Sequence, residues 1–181
     1  MVQILDLDNS KDIWIYIERV TGKGKYHKLG KPILLKNNVA VLEFDKYGVL
    51  KDKKIYNKDL TSHLINFANY DYLFIEGAGG ICSPLTLDGL NIDVMKKIGG
   101  DAILVAKDEI GVINNVLLSI SKLRLYKIST LAIVLNKIQP IQPQGMNNKR
   151  ELEEFTDIPV IQFVNKKKNK AALDSLAKLI I

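Results

Sequence analysis

Four short, almost uninterrupted apolar runs constrain this chain more than any other feature. They are Tyr72-Leu73-Phe74-Ile75, Ala102-Ile103-Leu104-Val105-Ala106, Leu131-Ala132-Ile133-Val134-Leu135 and Pro159-Val160-Ile161-Gln162-Phe163-Val164. A strand with one wetted face alternates apolar and polar residues. A run without alternation requires cover on both faces, the condition of a parallel sheet between helical layers. Helical periods separate the runs. Ile92, Met95 and Ile98 recur at i, i+3, i+6, and Ile113, Val116, Leu117, Ile120 and Leu123 form a 3.6-residue stripe. Leu152 with Phe155 predicts a short helix; Leu173, Leu176 and Leu179 predict the last one, and Leu60, Leu64 and Phe67 one ahead of the first run. Strands alternating with helices predict an α/β fold: a doubly wound, mostly parallel sheet with helices on both faces.

The first fifty residues are less regular. Val2 to Leu7 reads as a strand, and Asp12 to Val20 suits either a helix or a strand. Ile33-Leu34-Leu35 and Val39-Ala40-Val41-Leu42 read as strands, the second at an edge, and Gly22 and Gly24 mark a turn. With no internal repeat and no long linker, residues 1–181 read as one domain.

Composition excludes several classes. With 47% hydrophobic and 25% charged residues, the chain has the balance of a packed protein rather than a disordered one. One cysteine, Cys82, forbids an intrachain disulfide and a multi-thiolate metal site, and reads as a small, half-buried filler. Two histidines leave little for zinc. The first eight residues carry acids where a secretory leader carries Lys or Arg, and no apolar run approaches a membrane span; both point to the cytoplasm and away from a membrane. The net charge of +6 gathers at Lys166, Lys167, Lys168 and Lys170 without interleaved aromatics, which reads as a solvated loop, not a nucleic-acid face.

In an open α/β sheet, ligands bind beyond the carboxyl ends of the strands. After the first apolar run comes Glu76-Gly77-Ala78-Gly79-Gly80. Glycines let consecutive N–H groups converge on a phosphate, and a carboxylate at the strand tip suits Mg²⁺. After the second run, Gly111-Val112-Ile113-Asn114 opens the long helix; its free amides suit a carboxylate or phosphate, or it is equally a glycine-assisted helix start. After the third run, the Asn136 amide is able to read a purine edge, although alone it is an ordinary turn residue. Neither the dinucleotide fingerprint nor the Walker A pattern fits: the three Gly-Lys pairs are followed by Gly24, Tyr26 and Pro32 instead of Ser or Thr.

Together, Glu76 to Gly80 with Pro84-Leu85, then Gly111 to Asn114, then Val134-Leu135-Asn136 resemble the dethiobiotin synthetases in order and spacing, over about residues 70–164. The resemblance implies a P-loop NTPase-like three-layer sandwich, a homodimer, and ATP-dependent closure of the ureido ring of dethiobiotin from 7,8-diaminononanoate and CO₂ with Mg²⁺. It implies that Glu76 ligates Mg²⁺ and that Gly77, Ala78, Gly79 and Gly80 line the carbamate and phosphate region. Gly111, Val112, Ile113 and Asn114 then hold the carboxylate of the diamino acid, and Asn136 reads adenine. Gly30-Lys31-Pro32 is similar to the family's second-strand segment, making Lys31 the cation on the transferring phosphoryl group. On that alignment the phosphate loop falls near Asp8-Asn9-Ser10-Lys11, which assigns Lys11 to the nucleotide but contains no glycine. This departure keeps a second expectation open: a non-catalytic or altered-nucleotide-site relative that retains the fold and dimer surface as a binding or partner subunit.

Overall fold

The computed structural model describes residues 13–17, 33–35, 39–43, 56–65, 72–76, 79–137, 143–164 and 169–180. Its strands are β1 (Ile13–Ile17), β2 (Ile33–Leu35), β3 (Val39–Glu43), β4 (Tyr72–Glu76), β5 (Pro84–Thr86), β6 (Gly89–Leu90), β7 (Asp101–Lys107), β8 (Thr130–Lys137) and β9 (Val160–Val164). Its helices are α1 (Asn57–Ile65), α2 (Asn91–Ile98), α3 (Val112–Leu125), α4 (Asn148–Glu153) and α5 (Lys170–Ile180). Seven strands make one sheet in the order β2-β3-β4-β1-β7-β8-β9, while β5 and β6 form a separate antiparallel hairpin. Within the large sheet only the β2–β3 pair is antiparallel.

The four apolar runs are β4, β7, β8 and β9, and their lack of alternation has the expected cause. Neighbouring residues divide between two cores. Ile75, Leu104, Ile133, Leu135 and Val160 face α1 to α4, whereas Phe74, Ile103, Ala132, Val134 and Ile161 pack with Leu176 and Ile180 of α5. Helices cover both faces, so this is the doubly wound, mostly parallel architecture.

The ambiguous segment Asp12 to Val20 contains β1, which lies between β4 and β7 in the middle of the sheet. Its alternation of Ile13, Ile15 and Ile17 outweighs any helical period because two parallel neighbours satisfy both of its edges. Among the described strands the outermost on this side is β2, not β3, a correction with a simple reason: β3 pairs in register with β4 through Tyr72 to Glu76 on one side and with the short β2 on the other. Phe155 is not part of a helix. The α4 helix ends at Glu153, the Thr156 amide turns back to Leu152 O, and Phe155 is exposed. The proposed strand Val2 to Leu7, the turn at Gly22 and Gly24, Phe67 and Lys166 to Lys168 lie outside the described residues; Lys170 opens α5.

The helix ends carry chemistry that accounts for their limits. Asp93 reaches back to accept the Leu90 N–H at 2.8 Å, while Lys96 and Lys97 sit in the last turn of α2, complementing the dipole. At the end of α3, the Ile128 amide donates to Leu123 O at 3.0 Å across Lys127, whose φ is 60°. Helices usually place glycine at such a left-handed position. Lys127→Gly is therefore expected to raise stability by about 0.5–1 kcal/mol, and Leu123→Ala, at a fully buried position, to lower it by about 2–5 kcal/mol. Urea unfolding of the two variants measures both.

Candidate functional site

Parallel pairing sends the carboxyl ends of β1, β3, β4, β7, β8 and β9 to one rim, and the chemistry-bearing residues follow them there. Glu76 is the last residue of β4, and the register sets it beside Glu43 at the tip of β3. Glu43 was not singled out by sequence reasoning, because nothing in its own segment reveals its neighbour. Among the described residues no three His, Cys, Asp or Glu gather in a metal-binding group. Mg²⁺ commonly takes one or two carboxylates and completes its shell with water and substrate phosphate. The donor types at these two strand tips, both hard oxygen acids, fit that cation.

Past Glu76 the rim turns through glycine. Gly77 and Ala78 lie outside the described residues. Gly79 adopts φ 82°, and a Cβ there would stand 2.6 Å from Ser83 Oγ, so only glycine fits. The Gly80 amide donates to Ser83 Oγ at 2.7 Å, and the Gly80 carbonyl accepts from the Ser83 amide at 2.7 Å and from Asn91 Nδ2 at 3.0 Å. The Gly80 N–H is thus committed within the turn. Its role is to hold the loop's shape, and an anion would meet other donors. Buried Ile81 pins the turn to the core, whereas Cys82 is exposed, not the half-buried filler its neighbours suggested.

The hairpin β5–β6 follows and locks onto α1. Asp88 Oδ1 accepts the Asn57 amide at 2.7 Å, and Thr86 Oγ1 donates to Asn57 Oδ1 at 2.7 Å, so a residue far along the chain caps the first turn of α1. The Asn57 N–H, as the largest influence, holds the Asp88 carboxyl below its usual range. A carboxylate lowered on folding stabilises the native state above the unfolded carboxylate value and loses that contribution as pH falls through the folded one.

The helix α3 begins at Gly111, which is left-handed (φ 90°) and exposed. The Val112 amide donates to Glu109 O at 3.2 Å, whereas the Ile113 and Asn114 amides find no acceptor among the described residues. Two free donors at the positive end of a helix suit a carboxylate. Glu109 stands beside them with its charge countered by Lys107, its ion-pair partner. Asn114 is exposed, with Nδ2 turned to Asn115 Oδ1 at 3.3 Å.

Asn136 sits near the tip of β8, in register with Lys107 of β7 and Phe163 of β9. Its carbonyl accepts the Asp108 amide at 3.0 Å, while its half-buried side-chain amide makes no hydrogen bond among the described residues. Beside it lies a network that sequence reasoning missed. Asp108, only 4% exposed, accepts from Asn148 Nδ2 at Oδ1 and from Gln162 Nε2 at Oδ2, each at 2.7 Å. Its one local sign is an acid directly following a buried strand; its partners, 40 and 54 residues away, carry none. The remaining expected site residues, Lys11 and Lys31, lie outside the described residues.

The sheet order, the helices on both faces and the rim of glycine turn, acid and helix start define an α/β protein of the P-loop NTPase-like class. A family model described as an AAA domain matches residues 39–169, and the chain belongs to that family; within it, the chain is similar to several dethiobiotin synthetases. The ATP-dependent dethiobiotin synthetase BioD of Methanococcus vannielii is 31% identical over 143 residues, 78% of this chain and 64% of that protein. The protein of the same name from Halalkalibacterium halodurans is 32% identical over 125 residues, 68% of this chain and 50% of its own. That from Vesicomyosocius okutanii is 36% identical over 93 residues, 51% and 42% respectively. The matched region thus spans about two-fifths to two-thirds of these relatives. No helix among the described residues is long and apolar enough to cross a membrane.

Thermal unfolding at a series of pH values tests the Asp88 cap. The melting temperature of the native chain should be flat at neutral pH and fall below about pH 4. Asp88→Asn should lower the neutral plateau and flatten part of that acid limb.

Proposed function

We propose that this chain is an ATP-dependent cyclo-ligase of the dethiobiotin synthetase type, one domain over residues 1–181, working in the cytoplasm on 7,8-diaminononanoate and CO₂. The observation that carries this reading is the start of α3. Its free Ile113 and Asn114 amides open onto the same rim as Glu76 and Asn136, which supports a site joining a carboxylate, a metal-bound phosphate and a purine.

In this reading one amine of the substrate adds to CO₂ and loses a proton, giving a carbamate. A carbamate oxygen attacks the terminal phosphorus of ATP, and ADP leaves. The second amine then attacks the carbamoyl carbon, phosphate departs, and the ring closes with loss of a proton. Gly111 to Asn114 hold the remote carboxylate, so binding energy far from the reacting amines orients them. Glu76, with Glu43 beside it, holds Mg²⁺, which when bound counters charge on the phosphoryl oxygens. Gly77 to Gly80 shape the wall against which the carbamate rests, Lys31 neutralises the transferring group, and Asn136 and Lys11 address the nucleotide.

Incubation with diaminononanoate, bicarbonate and MgATP is expected to yield dethiobiotin; no product above a protein-free blank rejects the assignment. Glu76→Gln should lower kcat by roughly 10²–10³-fold, the scale of removing one group that stabilises developing charge, with diamine binding retained by calorimetry.

A homodimer fits the outer face of α3. Ile110, Leu118 and Leu125 are 80%, 62% and 72% exposed, and Asn114, Leu118, Ser121 and Leu125 fall on one side of the helix. Leu118→Asp should convert a dimer to a monomer in sedimentation equilibrium; a native chain that sediments as a monomer at micromolar concentration removes this part of the proposal.

A second reading has its own support. The chain has no Walker A motif, and the Gly80 amide is engaged by Ser83. Both favour a non-catalytic relative that keeps the fold and partner surface. Calorimetry with ATP and with the diamino acid separately divides the two: binding of neither favours the partner subunit.

A further inference from the structure

The Asp108 network lies at the meeting point of both halves of the proposed site, and no step above uses it. Its side chain bridges Asn148, at the start of α4, and Gln162 of β9, at 2.7 Å each, passing over the tip of β8. Its backbone amide holds the Asn136 carbonyl at 3.0 Å, and Asn148 Nδ2 also reaches Glu109 O at 3.3 Å, two residues before Gly111. A buried carboxyl that accepts at both oxygens is acceptor-only chemistry, and a buried acid is retained at a cost unless its partners are satisfied. A Leu at this position would pack without that demand. The network therefore does something that apolar packing would not: it ties the tips of β7, β8 and β9 and the starts of α3 and α4 at fixed spacing.

We infer that Asp108 is a positioning residue that sets the distance between Asn136, on the nucleotide side, and the Gly111–Asn114 turn, on the carboxylate side. This rests on the proposed function, which supplies the two ligands, but not on the reaction proceeding. Loss of the Asp108 side chain removes the acceptor of Gln162 Nε2 and leaves Asn148 Nδ2 with the longer bond to Glu109 O, and the strand tips and helix start shift against one another. A ligand that must touch both regions is then held less well. Displacements of about 1 Å at such a site cost up to about 10²-fold.

Asp108→Ala and Asp108→Asn are compared with the double variant Asp108→Asn, Gln162→Glu. In the double variant the side-chain amide at position 108 donates to the new carboxylate at position 162 and still accepts from Asn148. The same bridge is thereby rebuilt with the charge moved to the partner strand. KM for ATP and for the diamino acid are measured with kcat, and dissociation constants by calorimetry. We expect both KM values to rise about ten-fold or more in Asp108→Ala with a smaller change in kcat, and to return within about three-fold of native in the double variant. A merely structural role lowers the folded fraction, and hence apparent kcat and melting temperature, without moving either KM or either dissociation constant; that result overturns the inference. If Asp108→Ala does not fold, Asp108→Asn and the double variant carry the comparison. Native protein that binds both ligands without forming product rejects the enzymatic reading and leaves the calorimetric comparison to decide on Asp108, whereas native protein that binds neither rejects both.

Discussion

Parallel strand pairing is the constraint from which the rest of this molecule follows. Once β1, β3, β4, β7, β8 and β9 run the same way, every connection must cross back over the sheet. The crossings bury both faces, which is why β7 has buried residues at successive positions Ala102, Ile103 and Leu104. The same pairing delivers Glu43, Glu76, Lys107 and Asn136 to one rim from segments as much as 93 residues apart. The gathering of these candidate residues at one rim is a consequence of strand direction before it is a consequence of any single side chain.

The rim divides labour between backbone and side chains. The Gly79–Ser83 turn spends its polar groups on itself and on Asn91, and the Asn57–Thr86–Asp88 cluster joins α1 to the hairpin just beyond it. These bonds hold shape. Among the described residues, the pair of amides opening α3 and the side-chain amide of Asn136 make no such bond. Satisfied groups build the frame, and unsatisfied ones at its edge are free for a ligand, since a polar group at a water-exposed rim carries little penalty for waiting.

Much of this architecture was legible in order along the chain. The four apolar runs became β4, β7, β8 and β9, and the stripe Ile113 to Leu123 became the buried side of α3, because both signals come from periodicity that each segment carries by itself. Weak or mixed periods were misjudged. Ile13 to Ile17 sits mid-sheet although its own sequence allowed a helix, Val39 to Glu43 is interior instead of edge, and Phe155 falls beyond α4. The two-stranded hairpin Pro84–Thr86 with Gly89–Leu90 went unnoticed because five strand residues give too short a pattern to count.

The candidate site shows the same boundary. Glycines after a strand, a glycine before an amphipathic helix and an asparagine at a strand end are local signals, and Glu76, Gly79, Gly80, Gly111 to Asn114 and Asn136 were singled out as candidates through them. The sequence alone therefore determined the fold class, the alternation of layers and which loops crowd the carboxyl rim, since these depend on periodicity and on chain direction. Only the tertiary structure decided that β1 occupies the middle of the sheet, that Glu43 stands beside Glu76, that the Gly80 amide is spent on Ser83, and that Asp108 gathers Asn148 and Gln162. Such contacts are set by which strands become neighbours, and strand order is a property of the whole packed core that no single segment encodes.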